Sequence, residues 1–337
     1  MPTDSVTARR DDIDALRGLA VLLMVMVHVA ATVPPPSLGQ TTAIGYLVAG
    51  LGGLAAPLFV VLAGWGSAGK HRAWTSRFRR AGLLLCAQLV VNLSAPHLYG
   101  PFTPGVLSLF ALLALVPWTH PNQHVQRCTR AVALLAPLAV MLAPALQGPS
   151  SWDGRVTVNG FEGFASHLLL TGLYPLVPWC ALAWLGVMLR VHGSRLYRPG
   201  AMAAAAGLVF CAVQLVRASQ NNVPWAAPTS PDGQALLTFF PANGSFLIAA
   251  STGVLLLWAI GTWLARAPSL PDLGRFSLTV YVAHTPLLWV LHRSVDAPSV
   301  TVSTLLVLLC TLMWWPLSAL WPERFRHWSL ESALSKA

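Results

Sequence analysis

Long apolar stretches recur along the chain from residue 18 to residue 320, separated by short polar connections. Runs of this kind are typical of membrane-spanning helices, because a span needs about 20 mostly apolar residues. The pattern predicts about ten spans. Their expected bounds are 18–33, 43–67, 80–95, 105–118, 131–146, 168–189, 200–216, 245–264, 276–291 and 300–320.

These spans predict an all-α fold, a polytopic integral membrane helical bundle. The composition agrees, since 55% of the residues are hydrophobic, only 9% are charged and the mean hydropathy is +0.62. No polar block is large enough to fold alone. Residues 1–337 are therefore expected to form a single integral-membrane domain.

The basic residues predict the orientation. If the N-terminus is cytoplasmic, every Lys and Arg except Arg155, Arg217 and Arg293 falls on the cytoplasmic side of the ten spans, as the positive-inside rule requires. Both termini are then cytoplasmic. The tails are 1–15 and 321–337, and 217–244 is an irregular outer loop. Membrane topology also explains the net charge of +10 better than nucleic-acid binding does, because the cations are not clustered on one soluble face.

Two histidines, His28 and His284, are the intramembrane residues of most interest. The ten predicted spans contain no Asp, Glu or Lys, and their one Arg, Arg80, lies at an end. A titratable group deep in a bilayer is costly and is therefore a candidate functional group. The alternative is that each histidine only hydrogen-bonds a neighbouring helix.

Arg17 and His28 belong to one apolar stretch, with ten residues between them. At about 100° and about 1.5 Å per residue, eleven steps make three turns plus roughly 20° and a rise of about 16 Å. Both side chains are therefore expected on one face, with Arg17 at the membrane edge and His28 about halfway into the hydrocarbon. The aligned arginine favours a functional role for His28.

For His284 the two interpretations stay balanced. Ser277, Tyr281 and His284 form a polar stripe at i, i+4 and i+7, which suits a cavity wall and a helix interface alike. Pro286 frees a backbone carbonyl nearby. His284 lies nine residues beyond Arg275, about 13 Å along its helix. The two imidazoles are thus expected at similar depths, where they could line one cavity.

The segment IDALRGLAVLLMVMVH (13–28) resembles the opening of the transmembrane acyltransferase superfamily, which includes acyltransferase-3 enzymes and the heparan-alpha-glucosaminide N-acetyltransferase type. Those proteins share an Arg, ten residues and a His in the first span. APLFVVLAGWG (56–66) is similar to the second-span motif, YPLVPW (174–179) to a Pro-Trp segment of the N-acetyltransferase branch, and GRFSLTVYVAH (274–284) to a C-terminal Gly-Arg-x-Ser-Leu motif. Ala63-Gly64 departs from the Ser-Gly usual in acyltransferase-3 proteins.

The resemblance implies acyl transfer from cytoplasmic acyl-CoA, most simply acetyl-CoA, to a hydroxyl or amine of a glycan or glycolipid outside the plasma membrane. Such chemistry needs a base or a nucleophile. Burial disfavours charged imidazole, so His28 is expected to be the base or acyl carrier, with His284 assisting. Arg17 is expected to bind donor phosphate through paired hydrogen bonds, and Asp14, one turn earlier, to orient Arg17.

Other residues are candidates for binding. The basic connection 70–80 offers donor phosphate contacts, although topology and anionic lipid explain its charge at least as well. Its candidates are Arg72, Arg77, Arg79 and Arg80. The acceptor candidates are Tyr281, Ser277, His97, Glu162 and His167, with Tyr99, Trp152, Asp153 and Asn159 beside them. No metal site or disulfide framework is expected, because the five cysteines show no paired spacing.

A transporter or flippase without acyl-transfer chemistry is the competing hypothesis. Proton-coupled carriers commonly place Asp or Glu within spans and often contain repeats with broken helices. Neither is evident, although Pro175, Pro178 and Pro286 interrupt predicted helices. A membrane scaffold without chemistry leaves the aligned Arg17 and His28 unexplained. The sequence does not decide between a monomer and a homodimer.

The charge asymmetry predicts that the connections near residues 75, 125 and 195 are cytoplasmic and those near 100, 160 and 230 are outside. Single-cysteine variants at these positions, treated in intact cells with a membrane-impermeant thiol reagent, measure this directly. We expect labelling of the second group alone. Efficient labelling of the 70–80 connection would reverse the orientation.

Overall fold

The computed structural model describes residues 9–36, 43–69, 72–230, 232–320 and 327–337, with the backbone alone at Pro144. Helices dominate these residues. They are α1 (Asp11–Thr32), α2 (Ala43–Gly52), α3 (Ala55–Ser67), α4 (Trp74–Ser94), α5 (Val106–Leu115), α6 (Gln123–Leu142), α7 (Trp152–Val156), α8 (Gly160–Ser166), α9 (Leu176–His192), α10 (Tyr197–Asn221), α11 (Gly244–Ala259), α12 (Gly261–Leu264), α13 (Leu270–Arg275), α14 (Ser277–Ser294), α15 (Val300–Leu312), α16 (Trp314–Leu320) and α17 (Leu330–Lys336). The predicted tail 1–15 therefore ends inside α1.

Five stretches of the described chain are long and apolar enough to cross a membrane. They are Asp11–Thr32, Ala43–Ser67, Gln123–Leu142, Leu176–Asn221 and Val300–Leu320. The fourth contains both α9 and α10. α5 and α11 are apolar but shorter. The chain is thus an α-helical membrane protein, whereas the count of ten spans and the side of each terminus stay predictions.

Four predicted spans are interrupted in the structure. They are 43–67, which divides into α2 and α3; 131–146, in which α6 ends at Leu142 before a 3₁₀ turn at Pro144–Gln147; 168–189; and 245–264, which divides into α11 and α12. The span 300–320 is continuous, because Met313 between α15 and α16 keeps helical angles of φ −57° and ψ −30°. In 168–189 a π-turn at His167–Thr171 precedes α9, and Val177 has non-helical angles of φ −104° and ψ 121°. Pro175 and Pro178 explain this break, because proline donates no backbone hydrogen bond and disfavours a helical residue before it.

The segment 217–244 is more regular than the outer loop predicted for it. Its first residues continue α10 to Asn221. Beyond them, β1 (Ala226–Thr229) and β2 (Leu237–Phe240) pair as a parallel ribbon. Pairing between such short strands depends on contacts across the fold, which the Pro-rich and Gly-rich composition of the segment does not reveal.

The predicted C-terminal tail 321–337 is partly folded onto the bundle. Residues 321–326 lie outside the described chain, and α17 packs against the beginning of α14. The Glu331 carboxylate accepts hydrogen bonds from the N–H groups of Leu278 (2.5 Å) and Thr279 (3.1 Å) and from the Thr279 hydroxyl (2.6 Å). Glu331 therefore caps amides at the N-terminus of α14 that have no partner within that helix.

α1 and α13 pack backbone against backbone because glycines lie where they meet. A Cβ on Gly274 would lie 1.7 Å from the Asp14 carbonyl oxygen, and a Cβ on Gly18 would lie 2.4 Å from the Leu270 carbonyl oxygen. Atoms cannot approach so closely. Small residues allow this approach in membrane bundles, so both glycines are required by the contact between the two helices.

The same arrangement joins α3 to α9. A Cβ on Gly64 would lie 1.9 Å from the Ala183 carbonyl oxygen, and a Cβ on Gly186 would lie 1.9 Å from the Val61 carbonyl oxygen. Gly64 belongs to the second-span motif. Its role in the fold is therefore close packing against α9.

We expect Gly274→Ala to destabilise the protein by separating α13 from α1. The matched control is Gly82→Ala on α4, where an added Cβ meets no atom within 4 Å and should be neutral or stabilise by about 0.5–1 kcal/mol. Thermal unfolding in detergent measures both. Equal melting temperatures for Gly274→Ala and the wild type would show that this contact does not require glycine.

Candidate active site

The structure brings the two intramembrane histidines into contact. His28 lies on α1 and His284 on α14, with 2.9 Å between His28 Nδ1 and His284 Nε2. Their ring centroids are 5.2 Å apart and their planes differ by 11°. His284 is fully buried and His28 is partly accessible. The similar depths estimated from sequence are thus realised as a direct contact.

The hydrogen bonds of the pair define which nitrogen carries which proton. His284 Nδ1 lies 2.6 Å from the Tyr281 carbonyl oxygen, and a carbonyl can only accept, so this nitrogen carries hydrogen. Neutral His284 then accepts at Nε2, and His28 donates from Nδ1. Neutral His28 consequently keeps its lone pair on Nε2. This tautomer is assigned from the hydrogen-bond partners.

The surroundings of His284 include the predicted polar stripe. α14 begins at Ser277 and continues through Tyr281, whose ring centroid lies 5.7 Å from that of His284. Pro286 does not break α14. The Val282 carbonyl that Pro286 leaves without a helical donor accepts instead from the Thr285 hydroxyl, at 2.9 Å.

Three tyrosines pack against one apolar cluster of α4 and α5. They are Tyr99, Tyr174 and Tyr281. Burial raises the pKa of Tyr99 to about 12, so its phenol stays protonated near neutral pH. The arrangement places Tyr281, beside the histidine pair, in one cluster with Tyr99 and Tyr174. The sequence predicted no site role for Tyr174, whereas Tyr99 was among the acceptor candidates.

At the opposite end of α1, Asp14 is buried among three arginines. It lies 2.5 Å from Arg9 Nε, 3.1 Å from Arg17 Nη1 and 3.6 Å from Arg275 Nε. Only 3% of the Asp14 side chain is exposed, against 33% for Arg17. The contact predicted between Asp14 and Arg17 is present, and it fixes one edge of the guanidinium while leaving the rest accessible.

Arg275 belongs to this cluster, although no site role was predicted for it from the sequence. It also pairs with Asp11 at 3.0 Å and with Asp272 at 2.8 Å. One feature of the sequence could have identified Arg275 as a site residue. It directly follows Gly274, in the segment similar to the Gly-Arg motif. Spacing did not reveal it, because α13 contacts α1 across more than 250 residues of sequence.

The basic connection beginning at Arg72 is only partly free to bind a ligand. Arg77 donates to the carbonyls of Arg72 (3.2 Å) and Val116 (2.9 Å). Arg80 donates to a carbonyl of α17, and Arg79 is exposed. Arg72 and Arg77 line a cavity of about 270 Å³. Arg77 and Arg80 thus hold neighbouring segments together.

Two outer candidates make contacts of their own. The His97 ring stacks on that of His292 at 4.4 Å, and burial, followed by the charge of His292, lowers the pKa of His97. His167 uses both ring nitrogens locally, 2.9 Å from the Thr171 hydroxyl and 3.1 Å from the Thr157 carbonyl. His167 thereby stabilises the π-turn that it begins.

Among the remaining acceptor candidates, Trp152 contacts several neighbouring segments. Its Nε1 donates to the Leu98 carbonyl at 3.3 Å, and its ring lies 6.2 Å from Tyr99 and 5.5 Å from Phe240 of β2. Glu162 is exposed on α8. Asp153 lies in α7, and Asn159 directly precedes α8. Trp152 and Tyr99 thus connect the β ribbon to the bundle.

Within the described ranges, no group of three or more His, Cys, Asp or Glu side chains is arranged to hold a metal ion. No curated protein matches this chain. A family profile described as an acyltransferase domain, that of acyltransferase-3, matches residues 10–321. This match includes α1, with Arg17 and His28, and α14, with His284. The chain therefore belongs to the acyltransferase-3 family of membrane acyltransferases.

Proposed function

We propose that this membrane acyltransferase moves an acyl group, most simply acetyl, from cytoplasmic acyl-CoA to a hydroxyl or amine of a glycan or glycolipid at the outer face of the plasma membrane. The hydrogen-bond chain from the Tyr281 carbonyl through His284 to His28 carries the proposal. It leaves a basic nitrogen, Nε2 of His28, within the membrane domain.

In the proposed reaction, His28 Nε2 takes the proton of the acceptor O–H or N–H as the acceptor atom attacks the thioester carbonyl. His284 accepts from His28 Nδ1 and stabilises the imidazolium that forms. The C–S bond then breaks, and the proton passes from His28 to the departing thiolate. In a two-step route the same Nε2 lone pair attacks the thioester carbonyl and the C–S bond breaks, so that His28 carries the acyl group and CoA leaves as the thiolate. The acceptor then attacks this acyl group, the bond to Nε2 breaks, and the acceptor proton passes to the thiolate.

Tyr281 is our candidate donor to the oxyanion that develops on the thioester carbonyl. Its ring adjoins His284, and a phenol that is already in place when charge develops stabilises that charge without reorganisation. Ser277, one turn before Tyr281 on the same helix, stays a candidate for acceptor binding, as do Tyr99 and Trp152.

Arg17 is proposed to bind donor phosphate, oriented by Asp14. The distance estimated between Arg17 and His28 allows the flexible arm of an acyl-CoA to reach the histidine pair from the cytoplasmic edge. With ten spans and cytoplasmic termini, the acceptor meets the acyl group from the outer side. We include amines among the possible acceptors because the Pro-Trp segment 174–179 resembles the N-acetyltransferase branch.

We expect His28→Ala to lower acyl transfer by about 10²–10⁴-fold, the usual contribution of a general base, while CoA still binds. His124→Ala, an exposed histidine in α6, is the control. The readout is the mass of surface glycans from cells expressing each variant, in which one acyl group adds a fixed mass. Wild-type acylation by His28→Ala would exclude His28 from the chemistry. If the glycans of cells that express the wild-type protein carry no added acyl mass, the transporter hypothesis is favoured.

His284 is tested by substitutions that keep or remove the acceptor for His28 Nδ1. His284→Gln retains a carbonyl oxygen able to accept that hydrogen bond, whereas His284→Leu does not. We expect His284→Gln to retain more turnover than His284→Leu, with equal CoA binding. Equal turnover in the two variants would show that the hydrogen bond to His28 does not contribute.

Arg17 is tested by its conservative variant. Arg17→Lys keeps the charge but loses the planar fork, so CoA affinity should fall less than in Arg17→Ala. Calorimetric titration of CoA into purified protein measures the difference. Equal affinity in the wild type and both variants would remove Arg17 from donor binding.

A further inference from the structure

The cluster around Asp14 carries no surplus positive charge for a polyanionic donor. Its ion pairs join three arginines, Arg9, Arg17 and Arg275, to three aspartates, Asp11, Asp14 and Asp272. Opposite charges at these separations largely cancel at longer range. Arg17 can orient one phosphate but does not by itself attract several, so a cation outside this cluster is required if the donor is an acyl-CoA.

Arg190, in the last turn of α9, has the charge that the cluster lacks. Its guanidinium lies over the Trp65 ring at 4.0 Å, and no acidic side chain in the described part of the chain pairs with it. Stacking on an indole holds a guanidinium flat while its N–H groups remain available at the edges. Arg10 also approaches Trp65, at 5.6 Å, but it is paired with Asp12.

Arg17 and Arg190 flank the same turn at the end of α3. An added Cβ on Gly66 would lie 3.9 Å from Arg17 Nη2, and one on Gly69 would lie 2.8 Å from Arg190 Nη2. The Gly69 N–H donates to the Gly66 carbonyl at 3.3 Å, so the two glycines belong to one turn. Neither glycine places a side chain between the guanidinium groups.

We propose that Arg190 and Arg17 together bind two phosphate groups of one ligand, across the glycine turn Gly66–Gly69. This inference rests on the proposed function and names the donor site within it: acyl-CoA carries several phosphates and enters from this side. Arg190 thereby replaces Arg77 and Arg80, whose guanidinium groups bind backbone carbonyls, as the partner of Arg17. The same phosphate chemistry occurs in anionic lipid headgroups, and the experiment separates the two sources.

The test uses the full-length protein in nanodiscs of neutral phosphatidylcholine, titrated with CoA and with pantetheine, which lacks phosphate. We expect Arg190→Ala to weaken CoA binding about tenfold, the effect of losing one hydrogen-bonded charge contact, and to leave pantetheine binding unchanged. The CoA affinity of Arg190→Lys should lie between those of the wild type and Arg190→Ala. Arg195→Ala, in the 3₁₀ turn Gly193–Leu196 that follows α9, is the matched control and should bind CoA as the wild type does. Thermal unfolding verifies that each variant is folded. If Arg190→Ala does not fold, the CoA affinity of Arg190→Lys decides whether Arg190 binds the ligand.

Several outcomes overturn the inference. Wild-type CoA affinity in the folded Arg190 variants would do so, and so would an equal loss in Arg195→Ala, which would indicate a general surface potential. An effect confined to nanodiscs containing phosphatidylglycerol would assign Arg190 to lipid. If the wild type fails to bind CoA, the proposed donor itself is wrong; if it binds CoA and Arg190→Ala does too, only the role of Arg190 fails.

Discussion

The close approach of α1 and α13 at Gly18 and Gly274 is the constraint on which the site depends. With no side chain at either position, the two backbones touch, and α14, which follows α13 directly, is carried against α1. One contact therefore positions both functional ends of α1. At the N-terminal end of α1 it brings Arg275 to Asp14, and deeper in the bundle it brings His284 to His28. A larger residue at either glycine would disturb both ends together.

A backbone carbonyl sets the direction of the hydrogen bonds in the histidine pair. The Tyr281 carbonyl fixes the proton on His284, His284 in turn fixes the proton on His28, and the free lone pair points away from both. A buried carboxylate would orient His28 equally well but would introduce a charge that the apolar surroundings oppose. A second imidazole performs the same orientation while staying neutral.

Charge is arranged differently at the N-terminal end of α1. There the aspartates Asp11, Asp14 and Asp272 nearly neutralise the arginines that they pair with, which leaves little net attraction for an anion. Arg190, supported by an indole instead of a carboxylate, keeps its charge available. Arg77 and Arg80 differ from Arg190, because their guanidinium groups donate hydrogen bonds to backbone carbonyls and are less available to a ligand. A basic residue in a connection between helices is therefore not by itself a ligand contact.

The sequence alone determined the membrane class, the family and the common face of Arg17 and His28, because hydropathy and helical periodicity are local properties. It also indicated similar depths for His28 and His284. It did not reveal the breaks within four spans, the β ribbon or the docking of α17, since apolar length does not record the path of the backbone. The contact of Arg275 with Asp14, the stacking of Arg190 on Trp65 and the protonated nitrogen of each histidine were decided by the tertiary structure alone. Each depends on a partner from a distant segment, and only packing of the helices brings such partners within hydrogen-bonding distance.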